Sequence, residues 1–222
     1  MPSRAAALPS LWVRPPPLGC AELLLAQQQT PAALEPWRVH DYANLAVLPV
    51  AIALTAAAFV RGQGSRRALA CFMLVYMLID GLWIVAQPST VKAWRTLLVH
   101  HVATILLLIH PLTHAAHLKY VAWLCVVEVN TFLLVLRRHV RRSAWIEAAF
   151  AASWVAIRAV WFPYVAVHLL FYAGEWPDAV RRVLVCTCCS WLALLQLRWT
   201  REALLASKRR AAAAGAVKSG FL

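Results

Sequence analysis

His100-His101-Val102-Ala103-Thr104-Ile105-Leu106-Leu107-Leu108-Ile109 is the stretch whose reading decides this chain. Two adjacent histidines and a threonine open a run otherwise apolar enough for a membrane interior. Ionisable side chains are costly in hydrocarbon and face a protein interior or a water-filled cavity. Consecutive helical positions point about 100° apart. One histidine can therefore line a cavity while the other supports it through a hydrogen bond. Positions three or four apart share a face, which brings both histidines near Thr104. The expectation is that His101, with Thr104, is the reactive partner and that His100 supports it.

Outward from this stretch the chain is oily. Of its 222 residues 62% are hydrophobic and 14% charged, against about 25% charged in a soluble domain. The formal charge of +13 would suggest nucleic acid in a soluble protein. Here Lys and Arg sit between apolar runs, as they do when they fix membrane topology, so lipid headgroup phosphate is the expected anion and nucleic acid is not. Five of the six cysteines lie in apolar runs, and Cys186-Thr187-Cys188-Cys189 has no recognisable metal spacing. They read as small apolar side chains.

Six apolar runs follow one another: 44–60, 68–86, 96–109 ending at Pro111, 120–136, 144–172 with Pro163 inside, and 180–197. A spanning helix needs about 20 residues. The third run reaches that length only if its polar ends count. Pro163 is expected to kink the fifth. Backbone groups in lipid must be satisfied within the segment, so the runs are helices. The fold class is all-α: a multi-pass membrane protein, a bundle of about six transmembrane helices around a central cavity. The predicted organisation is a disordered or interfacial segment over 1–39, the transmembrane domain over 40–205 and a basic flexible tail over 206–222. The first 21 residues carry Arg4 and Arg14 and no acid, a weak version of a transit-peptide pattern. With six spans, fifteen Lys and Arg residues fall on the side of the termini and six on the other. That predicts both termini in the cytosol.

Four further polar groups lie inside the apolar runs: Asp80 one turn after Tyr76, Glu128 with Thr131 three residues on, Asn130 on a neighbouring face, and Arg158 between Trp154 and Trp161. If helices two to five enclose one cavity, Asp80, His100, His101, Glu128 and Arg158 can all point into it and balance charge by pairing. The plainer alternative is a structural ion pair, Asp80–Arg158 or Glu128–Arg158.

His110, His114 and His117 follow the histidine pair. Membrane di-iron enzymes use several such boxes on separate segments, but His40, His139 and His168 each stand alone, and Pro111 should break the helix that would align His110 with His114. No metal is expected, and these three histidines read as a polar interfacial loop. His139, within Arg-Arg-His-Val-Arg-Arg, reads as part of a basic patch for anionic lipid. No GxSxG elbow, P-loop or GxGxxG is present.

Taken in order, Tyr76-Met77-Leu78-Ile79-Asp80, His100-His101 with Thr104, Glu128-Val129-Asn130-Thr131 with Arg137, and Arg158 with Pro163 resemble the markers of the TLC domain. That membrane domain is shared by ceramide synthases, translocation-associated membrane proteins and smaller TLC-domain proteins, and the resemblance covers about residues 40–205. Asn130, Phe132 and Val135 replace the usual Ser, Pro and Asn of the smaller members. Where ceramide synthases carry an aspartate pair this chain has Glu128 and Asn130, which argues against acylation of a sphingoid base.

The resemblance implies a cavity that opens to the cytosol and admits a lipid chain, with an apolar wall and a few polar groups at one depth. It implies a lipid acyltransferase, N- or O-transferring, with long-chain acyl-CoA as co-substrate and membrane lipids as partners in the endoplasmic reticulum. His100, His101, Glu128 and Asp80 are then the catalytic candidates. Thr104, Asn130, Thr131, Arg158 and Tyr76 are the substrate-binding ones. The alternative is a non-catalytic lipid binder that regulates membrane lipid composition or trafficking through the same cavity. A homo-oligomer is compatible with either.

Overall fold

The computed structural model describes residues 35–91, 93–140, 143–172 and 179–219. Most of the predicted amino-terminal segment therefore lies outside the described residues. From Pro36 onward the described chain is helical, with no strand. In order come α1 (Pro36–Val60), α2 (Gln63–Ala86), a 3-10 turn (Pro88–Thr90), α3 (Trp94–Thr113) and a second 3-10 turn (Ala115–His117). There follow α4 (Leu118–Cys125), α5 (Val127–His139), α6 (Ala144–Ser153), a π-helical segment (Trp154–Trp161), α7 (Phe162–Tyr172) and α8 (Ala179–Ser219).

Six stretches of these helices are long and apolar enough to cross a membrane: Pro36–Val60, Gln63–Ala86, Trp94–Thr113, Ala115–His139, Ala144–Phe171 and Arg182–Leu205. The all-α, six-span reading holds. The third span reaches 20 residues because both polar ends belong to it. Pro111 does not stop α3, which continues to Thr113. His110 is consequently a buried helical residue, and the predicted loop begins only after it. The fifth span departs from regular α-geometry before its proline. Residues Trp154–Trp161 are π-helical and Pro163 is the second residue of α7. Proline has no N–H to give the preceding turn, and a π-turn is a recurrent way to accommodate such a loss inside a helix, often at functional positions. The last helix does not end with its apolar run. It carries on through the basic tail to Ser219.

The helices are apolar on both faces, unlike those of a soluble bundle. On α2, Val75, Ile79, Leu82 and Val85 are exposed, while Met73, Met77, Asp80 and Ile84 are buried. The exposed stripe is what a lipid-facing surface requires. The core falls into two apolar clusters. One joins α1, α2, α3 and α4 through Ala51, Leu69, Met73, Met77, Leu108 and Val121. The other joins α3, α4, α7 and α8 through Leu107, Tyr120, Phe162, Leu169, Val185 and Leu192. Helices α3 and α4 belong to both, so their facing surfaces form the centre of the bundle.

Polar contacts fix the helix ends. Gly62 turns α1 into α2 at φ 83°, a region where a side chain is strained. Arg66 Nε then donates to the Ala58 carbonyl at 3.1 Å, satisfying a carbonyl of the last turn of α1. At the opposite end Asp41 accepts from Arg138 Nη1 at 3.1 Å and from His139 Nε2 at 3.1 Å. The basic run read as a lipid patch therefore spends two of its members clamping the start of α1 to the end of α5. Asp41 is buried, while Arg138 stays half exposed.

Candidate functional site: a cavity between two polar clusters

The space between the two apolar clusters is a narrow cavity of about 70 Å³. Met73, Met77, Leu107, Leu108, Leu124, Phe162 and Leu192 form its apolar wall. Polar groups occur at both ends rather than at one depth. His100, Thr104, Glu128 and Gln196 line one end, and His110, His117 and Tyr120 the other. His100 and His110 are ten residues apart on α3, so the ends are separated by about 15 Å. His110 Nε2 and His117 Nδ1 lie 2.7 Å apart and share one hydrogen bond. An elongated apolar slot with a few convergent polar groups is the form of a ligand site.

The residues expected at one site are distributed over three places. Asp80 organises the first. Its Oδ2 accepts from His101 Nε2 at 2.7 Å, and its Oδ1 accepts from His40 Nε2 at 2.7 Å. The Asn44 amide nitrogen stands 3.4 Å from His40 Nδ1, and Tyr76 donates its hydroxyl to Asn44 Oδ1 at 2.8 Å. The result is a chain of polar side chains, Tyr76–Asn44–His40–Asp80–His101, running across α1, α2 and α3. It is anchored at its far end where His101 Nδ1 donates to the Leu97 carbonyl at 2.7 Å.

That last bond settles what His101 can do. A carbonyl oxygen only accepts, so Nδ1 carries a proton. Nε2 faces a carboxylate, with a proton held between them. Neither nitrogen retains a lone pair for a ligand, and His101 is not among the residues lining the cavity. The expected division of labour is therefore reversed. His101 is the fixed member of the pair.

His100 is the open one. It lines the cavity, its ring makes no hydrogen bond to a described residue, and Nδ1 is buried without a partner. The ring stands edge-on to His101 at 5.6 Å and edge-on to Trp199 at 5.7 Å between centroids. Aromatic edges thus hold its orientation without consuming its nitrogens. Thr104 lines the same end, but its hydroxyl donates to the His100 carbonyl at 2.9 Å. Glu128 is buried, lines the cavity, and forms no ion pair among the described residues.

Arg158 organises the third place. It sits in the π-helical segment, is buried, and meets no carboxylate within ion-pair distance. Nε donates to Asn130 Oδ1 at 2.6 Å, Nη1 to Gln196 Oε1 at 2.8 Å and Nη2 to Thr131 Oγ1 at 2.9 Å. Trp154 and Trp199 lie against the guanidinium at 5.1 and 6.0 Å, a cation–π arrangement. Asn130 is fully buried and is also saturated on its other side, where Nδ2 donates to Ser153 Oγ at 2.9 Å and to the Phe150 carbonyl at 3.3 Å. Neither structural ion pair considered for Arg158 exists. Asp80 is taken by two histidines and Arg158 by three neutral acceptors. Tyr76, Asn130, Thr131 and Arg158 do not line the cavity; they build the clusters on either side of it.

Four contributors escaped the sequence reading: His40, Asn44, Gln196 and Trp199. His40 looked isolated because the first apolar run seemed to begin at Asn44. Pro36, a residue suited to the first turn of a helix, was the signal that α1 begins earlier. Gln196 was an amide inside an apolar run, the same signal that singled out Asn130. Among the described residues no three His, Cys, Asp or Glu side chains converge to hold a metal ion.

The chain is thus an all-helical multi-pass bundle with a slot-shaped apolar cavity and buried polar clusters at membrane depth. The family model for the TLC domain matches residues 50–203. The chain belongs to the TLC-domain family, and is a membrane protein of the lipid-related kind that this domain marks. No curated protein and no solved structure matches it significantly.

Proposed function

We propose that the protein is an acyl-CoA-dependent lipid acyltransferase whose reacting group is His100. The observation that carries this reading is a contrast within the histidine pair. His100 reaches the cavity with an uncommitted ring, while its neighbour is pinned by Asp80 and a backbone carbonyl. An imidazole with a free lone pair beside an apolar slot is equipped for two related steps. As a general base it takes the proton of an attacking lipid hydroxyl or amine while that oxygen or nitrogen bonds to the thioester carbonyl. The C–S bond breaks, and the departing CoA sulfur ends as the thiol. As a nucleophile it bonds to the thioester carbonyl itself, releases CoA, and passes the acyl group from the imidazole to the lipid. Glu128, at the same end of the cavity, supplies a carboxylate for the acceptor's proton. Asp80 and His40 act through His101 to hold the start of α3 in place. The Lys and Arg distribution and the family support cytosolic termini and the endoplasmic reticulum, where acyl-CoA meets lipid.

The test is release of free CoA by the purified protein in detergent with mixed lipid and a long-chain acyl-CoA, with intact-mass measurement of the same samples. His100→Ala is expected to abolish release while leaving the melting temperature near that of the wild type. His101→Ala is expected to lower both. An acyl adduct on the wild-type chain that is absent from His100→Ala selects the nucleophilic route. Equal CoA release by wild type and His100→Ala, across chain lengths and acceptors, would sink the transferase and leave a lipid-binding cavity.

A further inference from the structure

The cavity wall holds a hydrogen-bond donor that the steps above do not use. Gln196 is only 1% exposed to solvent, yet it lines the cavity at the same end as His100 and Glu128. The direction of its amide is set by chemistry. A guanidinium has donors and no acceptor, so the Gln196 atom 2.8 Å from Arg158 Nη1 is the amide oxygen. The NH2 group takes the other side of the amide, and it makes no hydrogen bond to a described residue. Arg158 is in turn gripped by Asn130 and Thr131 on the fourth span. The amide therefore has one orientation, held from behind by a cation that does not itself reach the cavity. That donor has no described partner and Gln196 lines the cavity, so an acceptor bound there would complete it.

The surroundings say what kind of acceptor it is. No Lys or Arg lines the cavity, and the Glu128 carboxylate does. A phosphate or free carboxylate placed there would find no Lys or Arg in the wall to pair with. The rest of the wall is apolar. A neutral acceptor carried on an apolar chain fits both conditions, and the carbonyl of an ester, thioester or amide is such a group.

We propose that Gln196 is the carbonyl-binding residue of the cavity, its amide N–H donating to the carbonyl oxygen of an acyl ligand and its orientation fixed by Arg158. The proposal rests on reading the cavity as a lipid site, but not on turnover. It narrows the ligand class from lipids in general to acyl lipids. If transfer occurs, the same donor faces the oxygen on which negative charge develops.

Binding discrimination tests it. Two ligand pairs differ in the carbonyl alone: palmitoyl-CoA against S-hexadecyl-CoA, and a diacyl phosphatidylcholine against its dialkyl ether analogue. Wild type is expected to hold the carbonyl member of at least one pair about three- to tenfold more tightly. Preference in the first pair marks the thioester as the source, and preference in the second marks the ester lipid. Gln196→Glu keeps an acceptor for Arg158 Nη1 while replacing the donor with an oxygen, so it should preserve the fold and erase the preference. Gln196→Met should erase it as well. So that the test does not depend on the folding of either variant, a palmitoyl probe with a diazirine beside its carbonyl is also used on the wild type alone. It should label the α8 peptide that contains Gln196. No discrimination by wild type, undiminished discrimination by Gln196→Glu, or labelling confined to other helices would overturn the proposal. Absence of CoA release with discrimination intact would overturn the transferase reading and leave this one standing.

Discussion

The two polar clusters that flank the cavity solve one problem in opposite ways. Around Asp80, a carboxylate is surrounded by two imidazoles and the members share protons. Around Arg158, a cation is surrounded by an amide oxygen on each of two helices and by a hydroxyl, and no opposite charge comes within ion-pair distance. The first depends on charge complementarity. The second depends on direction, because a planar fork of donors meets acceptors already aimed at it. In a low-dielectric interior both are costly to leave half satisfied. The Asp80 cluster ties together spans one, two and three, and the Arg158 cluster ties together spans four, five and six. Each side of the bundle has its own polar lock, and the cavity with His100 and Glu128 lies between them.

The sharpest way to break this comparison is at Asp80. Asp80→Ala leaves His40 and His101 without their shared acceptor. Removing one partner from a buried charged group costs about 3–5 kcal/mol, and thermal unfolding in detergent should show the largest loss of any single substitution named here. Asp80→Asn retains one acceptor oxygen and should lose less. If Asp80→Ala melts with the wild type, the first cluster is not a lock, and its contrast with the second disappears.

Arg158→Lys is the corresponding experiment on the other side. Charge is kept, but one ammonium replaces a fork that serves three acceptors in fixed directions. At least one of Asn130 Oδ1, Gln196 Oε1 and Thr131 Oγ1 is left bare, at a cost of about 1–3 kcal/mol. If geometry rather than charge is what the cluster needs, Arg158→Lys and Arg158→Met should be destabilised to a similar degree. A lysine variant as stable as wild type would mean that both clusters depend on charge alone.

Much of this was legible in the sequence, and the limits have physical causes. Six spans follow from apolar runs, which report burial in lipid without reference to a partner. The double histidine, Asp80, Glu128 and Arg158 stood out because each is a polar group at membrane depth. Their partners were not legible, since pairing depends on the rotation of one helix against another and no local pattern encodes that. Asp80 was as plausible a partner for Arg158 as for His40. Which histidine faced the cavity was misjudged for the same reason. Thr104 is close to both by spacing, and only the Asp80–His101 bond breaks the tie. The π-helical segment was foreshadowed by Pro163 as a kink, but no local pattern gave its form.

Smaller effects sharpen the picture of the first cluster. Tyr76 is its outermost member and makes one hydrogen bond, at 2.8 Å, to Asn44. Tyr76→Phe should cost about 1 kcal/mol in thermal stability and leave the Asp80–His101 contact in place, so its effect on CoA release should be slight. A large loss of activity at little cost in stability would show instead that the chain from Tyr76 to His101 moves protons.

The smallest effect is expected at Gly81, and it separates two accounts of how His101 is placed. Gly81 follows Asp80 and lies where α2 crosses α3. One account holds that a small residue is needed there for the helices to approach, as at many crossings in membranes. The other holds that the Asp80 bond alone draws His101 into position. A methyl group at Gly81 would stand 3.8 Å from His101 Cβ and 3.9 Å from Cδ2, which is ordinary van der Waals contact. Alanine also favours a helix interior over glycine by about 0.5–1 kcal/mol. Gly81→Ala should therefore be neutral or slightly stabilising in a thermal melt, with CoA release unchanged. A clear loss of either would mean that the helix crossing is tighter than the ring contact shows. The position of His101 would then owe as much to backbone approach as to the carboxylate beside it.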